Sequence, residues 1–504
     1  MAWPPNVTQY SLITSAHINA VKNAIANWLG DVQAAGYRLI NVGKILVNKN
    51  SDDSSDVVQV NGSVTATEFK GNIDFSYVQN IPVHNVKKFG AVGDGTTDDT
   101  SAIQSAINSA TTAGVGILFF PAGTYRITSL LTINGRLVLA GAGMESTYIV
   151  QNSSTSSSLN FNLSGVSGTL TSQAGLRDLT ICAGNKNSTT ADGSSGTGLI
   201  ISGANHGFVM ERVAVKNHAY GIYILNSYDV KILNSYVWFA ANIGIRIADS
   251  SDTLIENTWI RNLSATGSVS PYSNGLVIEG GNGIALNSSF VSHFHRGLLL
   301  FAPQNKSIFN VRINDCWFDS NIDCGVLLST YDNTSLIQGV LLNDSYFINT
   351  GRVGAWGGGD DIEGRGILID TYSGGPIRDV RIVGGAIREN GGQGVLLIGS
   401  GLNEFHMNGV SVANNGLAGV GGSQQGIYIG PNISNWSITN CRIGNFASTQ
   451  GAVQTEGIYI ANGSGDNYQI VGNNLNNASS APLYNGATGT SRIIASNLPA
   501  SVNL

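Results

Sequence analysis

A Gly followed by apolar or alternating residues recurs along the chain: GLII from Gly198, GIYI from Gly221, GIRI from Gly244, GLVI from Gly275 and GLLL from Gly297. The series continues as GVLL from Gly325, GILI from Gly366, GVLL from Gly394, and GIYI from Gly426 and again from Gly457. The spacing runs from 22 residues, Gly275 to Gly297, up to 41, Gly325 to Gly366. A constant floor with a variable excess is the behaviour of a solenoid whose turns carry insertions. Each segment is short, rich in Val, Ile and Leu, and bounded by Gly, Asn or Ser, so it reads as a strand.

A second repeat runs in phase with the first. Asn234, Asn257, Asn287, Asn314, Asn343, Asn408, Asn440 and Asn473 each follow a short apolar segment. A side-chain amide can bond to the same amide on the next coil, so these residues are expected to form one ladder in register. No helical periodicity interrupts the pattern from Gly198 to Asn474. An all-β parallel β-helix is therefore expected, with further coils upstream. A β-propeller would show a longer and more constant period.

Upstream, Ile103, Ala106, Ile107 and Ala110 fall at i, i+3, i+4 and i+7, which predicts a short amphipathic helix closing the open apolar end of the solenoid. Thr97 or Asp98 would cap it. Strand, turn and strand follow in GVGILFFPAGTYRIT, and then LVLAGAG. The run from VKKFGAVGDGTTDDTSAIQSAI through ILFFPAGTYRI to LVLAGAG closely resembles the opening segment of the pectate-lyase-like β-helix family. That family includes glycoside hydrolase 28-related proteins and many bacteriophage tailspike depolymerases. The resemblance is specific over about residues 85–180. It implies a right-handed parallel β-helix with a carbohydrate-active site on one long face. Asp94, Asp98 and Asp99 match the family's opening motif and read as turn and cap residues. The family's polygalacturonase residues (Asn-Thr-Asp, Asp-Asp, Gly-His-Gly, Arg-Ile-Lys) have no counterpart, which argues against that particular arrangement.

Residues 1–83 differ in character. Ile18, Val21, Ile25, Trp28 and Val32 alternate by three and four, an a/d seam of two heptads. Short strands with Asn-Gly and Gly-Asn turns follow. This resembles the modules of phage tail fibres, and implies a homotrimer attached to phage tail or baseplate proteins. The expected division is an N-terminal helix-plus-strand module at 1–83, the β-helix at 84–475 and a C-terminal cap at 476–504.

Composition narrows the function. Charged residues are only 12% of the chain, with 64 Gly and a net charge of −6, so the surface is built from Asn, Ser, Thr and Gly. That balance argues against nucleic acid and anionic membrane as partners, and no apolar run is long enough to insert in a membrane. Cys182, Cys316, Cys324 and Cys441 are too scattered for a disulfide framework and read as buried free thiols. The opening MAWPPNVTQY lacks a basic region followed by an apolar run, so synthesis in a bacterial cytoplasm without a Sec signal is expected, with action outside the cell on a virion tail.

Candidate chemistry comes from turn lengths. In the turns leading into the Gly-apolar strands, insertions before Gly275 and Gly366 flank short turns before Gly297 and Gly325. Two lips with a floor between them make a groove. The floor carries His293, His295, Arg296, Asp319 and Asp323; the upper lip carries Trp356, Asp360, Asp361, Glu363 and Arg365; the equivalent turn one coil on carries Glu389. Glycoside hydrolysis needs a carboxylic acid and a second carboxylate, so Asp319, Glu363, Glu389, Asp360 and Asp361 are the catalytic candidates. Trp356, His293, His295, Arg296, Asp323 and Arg365 are candidates for holding a sugar chain. Glu279 and Asp370 form a second, weaker pair. Three readings stay open: a tailspike-type hydrolase needing no cofactor, a β-eliminating lyase of uronate polymers that would call for Ca2+, and a glycan-binding adhesin without catalysis.

Overall fold

The computed structural model describes residues 83–498, apart from 115, 167–173, 189–194, 206, 263–271, 352–363, 372–373, 418–423, 447–453 and 477. The heptad seam and the rest of residues 1–82 lie outside the described residues. The described chain is a parallel β-helix with three strands per coil, all joined to their neighbours in parallel register.

The Gly-apolar segments form the first sheet, in which Tyr220–Leu225, Arg296–Ala302, Cys324–Thr330 and Arg365–Thr371 are typical strands. Segments such as Tyr228–Leu233, Ser307–Asn314 and Ile377–Val383 form the second. Three-residue strands form the third, including Tyr236–Trp238, Trp259–Arg261, Phe290–Ser292, Trp317–Asp319, Tyr346–Ile348 and Ala386–Arg388. The upstream coils are present: Val83–Asn85 pairs with Ile117–Phe120, and that strand with Val138–Gly141. Pairing also runs on past residue 475, since Ala481–Asn485 pairs with Glu456–Ile460 and Arg492–Ala495 with Tyr468–Val471.

Sterics explain the recurring Gly. A Cβ on Gly297 would lie 2.6 Å from the carbonyl oxygen of Gly325 on the next coil; on Gly325, 2.7 Å from Gly366 O; on Gly366, 2.6 Å from Gly394 O. The same holds at Gly221, Gly244 and Gly275. Backbones meet here at a distance that admits no side chain. The apolar residues that follow alternate inward, and Leu298, Leu300, Val326, Leu328, Ile367 and Ile369 are wholly buried.

The Asn repeat departs from a single ladder. Asn234, Asn257 and Asn440 occupy a corner position with positive φ (50°, 45° and 55°), which Asn tolerates better than most residues. In the coils between, Ser288, Asp315, Asp344, Gly384 and Gly409 take that corner. Asn287, Asn314, Asn343 and Asn408 lie one residue earlier, paired through Asn287 with Asn314 and Asn314 with Asn343. Asn473 lies one residue later and is buried. The amides do bridge coils, at 2.8 Å from Asn257 to Asn234 and 2.9 Å from Asn314 to Asn287. A hydroxyl row inside them does similar work: Val213 N–H donates to Ser235 Oγ, Thr258 N–H to Ser289 Oγ and Cys316 N–H to Ser345 Oγ.

The helix Thr100–Thr112 buries Ile103, Ala106, Ile107 and Ala110, the face read from the sequence. Its cap position is Asp99 rather than Thr97 or Asp98. The Asp99 carboxylate turns away to accept from Val92 and Gly93 N–H, while Asp98 accepts from Thr100 N–H. All four cysteines are buried free thiols.

Two tests follow from the packing. Gly297→Ala should cost roughly 1–3 kcal/mol by forcing the backbone of the next coil aside, whereas Gly116→Ala, with open space around it, should be near neutral; urea denaturation separates the two. The second test is the pH dependence of stability. Burial pushes His218 down to about 4, and its Nε2 meets Ser158 Oγ at 2.8 Å. Burial does the same to His293, also about 4. The unfolded chain takes up these protons near pH 6.5 while the folded chain resists, so stability is full above that pH and is lost as pH falls toward 4. Urea midpoints at pH 7.5 and 4.5 should differ accordingly, and by less in His218→Gln.

Candidate functional site

The site lies where the third sheet turns into the first. Short corners here hold the side chains in columns along the solenoid. Along the edge of the third sheet, Lys216, Trp238, Arg261, Ser292, Asp319, Ile348 and Arg388 occupy successive coils in register. The next position is a left-handed corner, filled by Asn217, Phe239, His293, Ser320, Asn349, Glu389 and Asn414 with φ between 54° and 65°. Asn suits that conformation. His293 also belongs to a type that tolerates it; Phe239 and Glu389 are the departures, and a residue held at an unfavourable φ is a pointer to function.

Asp319 is half-buried, and its Oδ1 accepts from Asn349 Nδ2 at 2.9 Å and Ser320 Oγ at 3.0 Å. His293 is buried beside it, with Nδ1 2.9 Å from Ser292 Oγ. Burial and the nearby Arg261 hold this ring neutral against the opposing pull of Asp319. Glu389 stands two coils beyond Asp319, half-exposed; its N–H donates to Ala413 O at 3.1 Å, and its carboxylate has no hydrogen-bond or ion-pair partner among the described residues. At the strand spacing their backbones are about 10 Å apart.

Asp323 is held between two arginines. Its side chain is only 16% exposed and bridges two arginines, with Oδ2 2.8 Å from Arg296 Nε and Oδ1 3.5 Å from Arg365 Nη1. Arg296 and Arg365 are thereby engaged in tying adjacent coils together, and all three read as framework. His295 is also largely withdrawn; burial depresses its pKa, and its buried Nδ1 finds no hydrogen-bond partner among the described residues. Of the second pair, Glu279 is held by Arg246 at 2.5 Å. Trp356, Asp360, Asp361 and Glu363 lie outside the described residues, as does most of each lip. No group of three or more His, Cys, Asp or Glu able to hold a metal occurs among the described residues.

One feature of this face was missed in the sequence. Tyr236, Trp259, Phe290, Trp317 and Tyr346 stand in register on successive coils of the third sheet, two residues before the column that holds Asp319. Trp317 stacks on Tyr346 at 4.7 Å, and Trp259 leans on Phe290 at 5.4 Å. Trp259 is 42% exposed and Trp317 39%. The signal was available: each aromatic sits two residues after the corner residue that opens its strand, starting with Asn234 and Asn257.

Comparison with known proteins places this architecture. Residues 83–333 match the family described as rhamnogalacturonase A/epimerase, pectate lyase-like. This stretch belongs to the pectate lyase-like parallel β-helix family. The chain is 36% identical over 143 residues to mannuronan C5-epimerase AlgE4 of Azotobacter vinelandii, covering 26% of each chain. It is 36% identical over 142 residues to alginate lyase 7 of the same organism, covering 26% of this chain and 17% of the relative. The chain therefore spans about a quarter or less of the curated relatives it matches. Among solved structures, the A-module of Azotobacter vinelandii AlgE4 superposes with a TM-score of 0.53 at 19% identity, over 82% of this chain and 100% of the other. Tailspike protein 3 of bacteriophage CBA120 gives a TM-score of 0.55 at 12% identity, over 84% and 62%. These two share the fold.

The framework reading of Asp323 separates it from Asp319. Asp323→Asn should lower stability by roughly 1–2 kcal/mol, a buried ion-pair loss discounted for the partly exposed arginines. Asp319→Asn should stay within about 0.5 kcal/mol of the parent. Thermal or urea unfolding of the two variants reads the difference.

Proposed function

We propose that this protein is a polysaccharide depolymerase that hydrolyses glycosidic bonds of a surface glycan, with Asp319 and Glu389 as its carboxylate pair. The observation that carries this reading is the pair itself: two solvent-reached carboxylates in neighbouring columns, Asp319 on the strand edge and Glu389 on the left-handed corner beside it, two coils apart. A separation of about 10 Å between backbones lets side chains that lean together enter the ~6.5–9.5 Å range of inverting enzymes, with room for a water between them. Asp319, fixed by Asn349 and Ser320, is the base that activates this water. Glu389 delivers its proton to the leaving oxygen. His293, neutral at pH 7, takes part as a hydrogen-bonding group. In this reading the protein acts outside the cell as a homotrimeric virion tail component.

A second reading, β-elimination of a uronate polymer, is favoured by the relatives named as alginate lyase and mannuronan epimerases. Arg261 and Arg388, which flank Asp319 in the same column, would then neutralise the uronate carboxylate.

Incubation with capsular, lipopolysaccharide and acidic plant polysaccharides distinguishes them. New reducing ends without ultraviolet absorbance are expected; rising absorbance of an unsaturated uronate would replace hydrolysis by elimination. Asp319→Asn and Glu389→Asn should each lower turnover by at least a hundredfold. Glu389→Asn should also hold or raise the melting temperature, because Asn suits its backbone. Full turnover in both variants would remove the pair from the chemistry.

A further inference from the structure

We infer that the outer face of the third sheet is a glycan-binding track separate from the catalytic corner, built on Tyr236, Trp259, Phe290, Trp317 and Tyr346. One ring stands on each coil, at the solenoid repeat of about 4.8 Å. That repeat is close to the advance of a single pyranose along a polymer, so consecutive sugars can meet consecutive rings. The track is also narrow. On one side lie the polar corner residues Asn257, Ser288, Asp315 and Asp344; on the other, beside the three central rings, lie Arg261, the buried Ser292 and Asp319, with Trp238 and Ile348 at the two ends of the row. A protein partner needs an apolar core of ordinary interface width, depleted of charge at its centre. A strip one ring wide between two polar rows suits a linear hydroxylated chain, which offers apolar C–H faces and hydroxyls at its edges.

The ring surface widens at one end, where the ring of Trp238 lies 4.8 Å from that of Tyr236. A polymer lying on the rings also runs alongside Asp319. Delivery of the chain to that carboxylate rests on the proposed hydrolysis; binding to the track does not.

The test is affinity gel electrophoresis in gels containing alginate, polygalacturonate, dextran or a bacterial capsular polysaccharide. Asp319→Asn/Glu389→Gln serves as the parent, so that binding is read without cleavage. At least one polymer should retard the parent, and adding Trp259→Ala and Trp317→Ala should weaken that binding at least tenfold, with the melting temperature and the mass by light scattering unchanged. Trp259→Phe/Trp317→Phe should keep most of the retardation, which separates loss of ring surface from misfolding. Tyr428→Ala/Tyr459→Ala, a stacked pair on the first sheet, should leave it intact. Retardation by none of the polymers, or equal retardation with and without the tryptophans, would overturn the inference. A fall in mass in the alanine variant with retardation unchanged would assign the face to contact between copies of the chain instead.

Discussion

The close approach of successive backbones at the Gly column is the constraint on which the rest depends. Where Gly297, Gly325 and Gly366 stack, the space a Cβ would need already holds the carbonyl of the next coil. That contact fixes where each coil enters the first sheet. The corner before it is then a choice between a short left-handed link and a long excursion. The candidate carboxylates on this face sit at those short links or on the strand edge just before them, where a side chain recurs at a defined position coil after coil. Neighbours 27 to 42 residues apart in sequence, such as Arg296, Asp323 and Arg365, become direct contacts.

The same geometry accounts for the composition. Corners with positive φ recur in every coil, and Asn, Asp, Ser and Gly occupy most of them because they tolerate that backbone. An uncharged polar surface is thus a consequence of the fold before it is a property of the substrate. Against that background a corner residue of another kind stands out. Glu389 takes this backbone with no partner for its carboxylate among the described residues, while His293, of a type that tolerates the corner, accepts burial that drives it neutral.

The Gly repeat was legible because one steric rule acts on every coil, and the capping helix because four apolar residues share one face. The Asn repeat was legible only in part. Three adjacent corner positions all favour Asn, Ser or Asp, so a one-residue slip between coils leaves no trace in the pattern. Asp319, Asp323 and Glu389 were found from turn lengths, yet turn length cannot tell a carboxylate facing solvent from one clasped by two arginines on neighbouring coils. The aromatic row escaped because its strands are three residues long, too short to show a period of two. It emerges only when each coil is aligned on its corner residue.

These assignments combine into a division of labour. The Arg296–Asp323–Arg365 bridge ties three coils together immediately beside Asp319, so the backbone that carries Asp319 is braced from the first-sheet side. Asn349 and Ser320 fix its carboxylate from within the corner. Catalytic geometry is best held by groups whose own positions are set before the substrate arrives, and this carboxylate meets that condition twice over. Neighbouring rings of the third sheet pack on one another, Trp317 stacked on Tyr346, Trp259 tilted against Phe290 and Tyr236 edge-on to Trp259, and so need little ordering when a chain binds. Binding surface and carboxylate therefore belong to one rigid strand edge, and a polymer lying along the solenoid axis would meet both without any rearrangement of the coils beneath it.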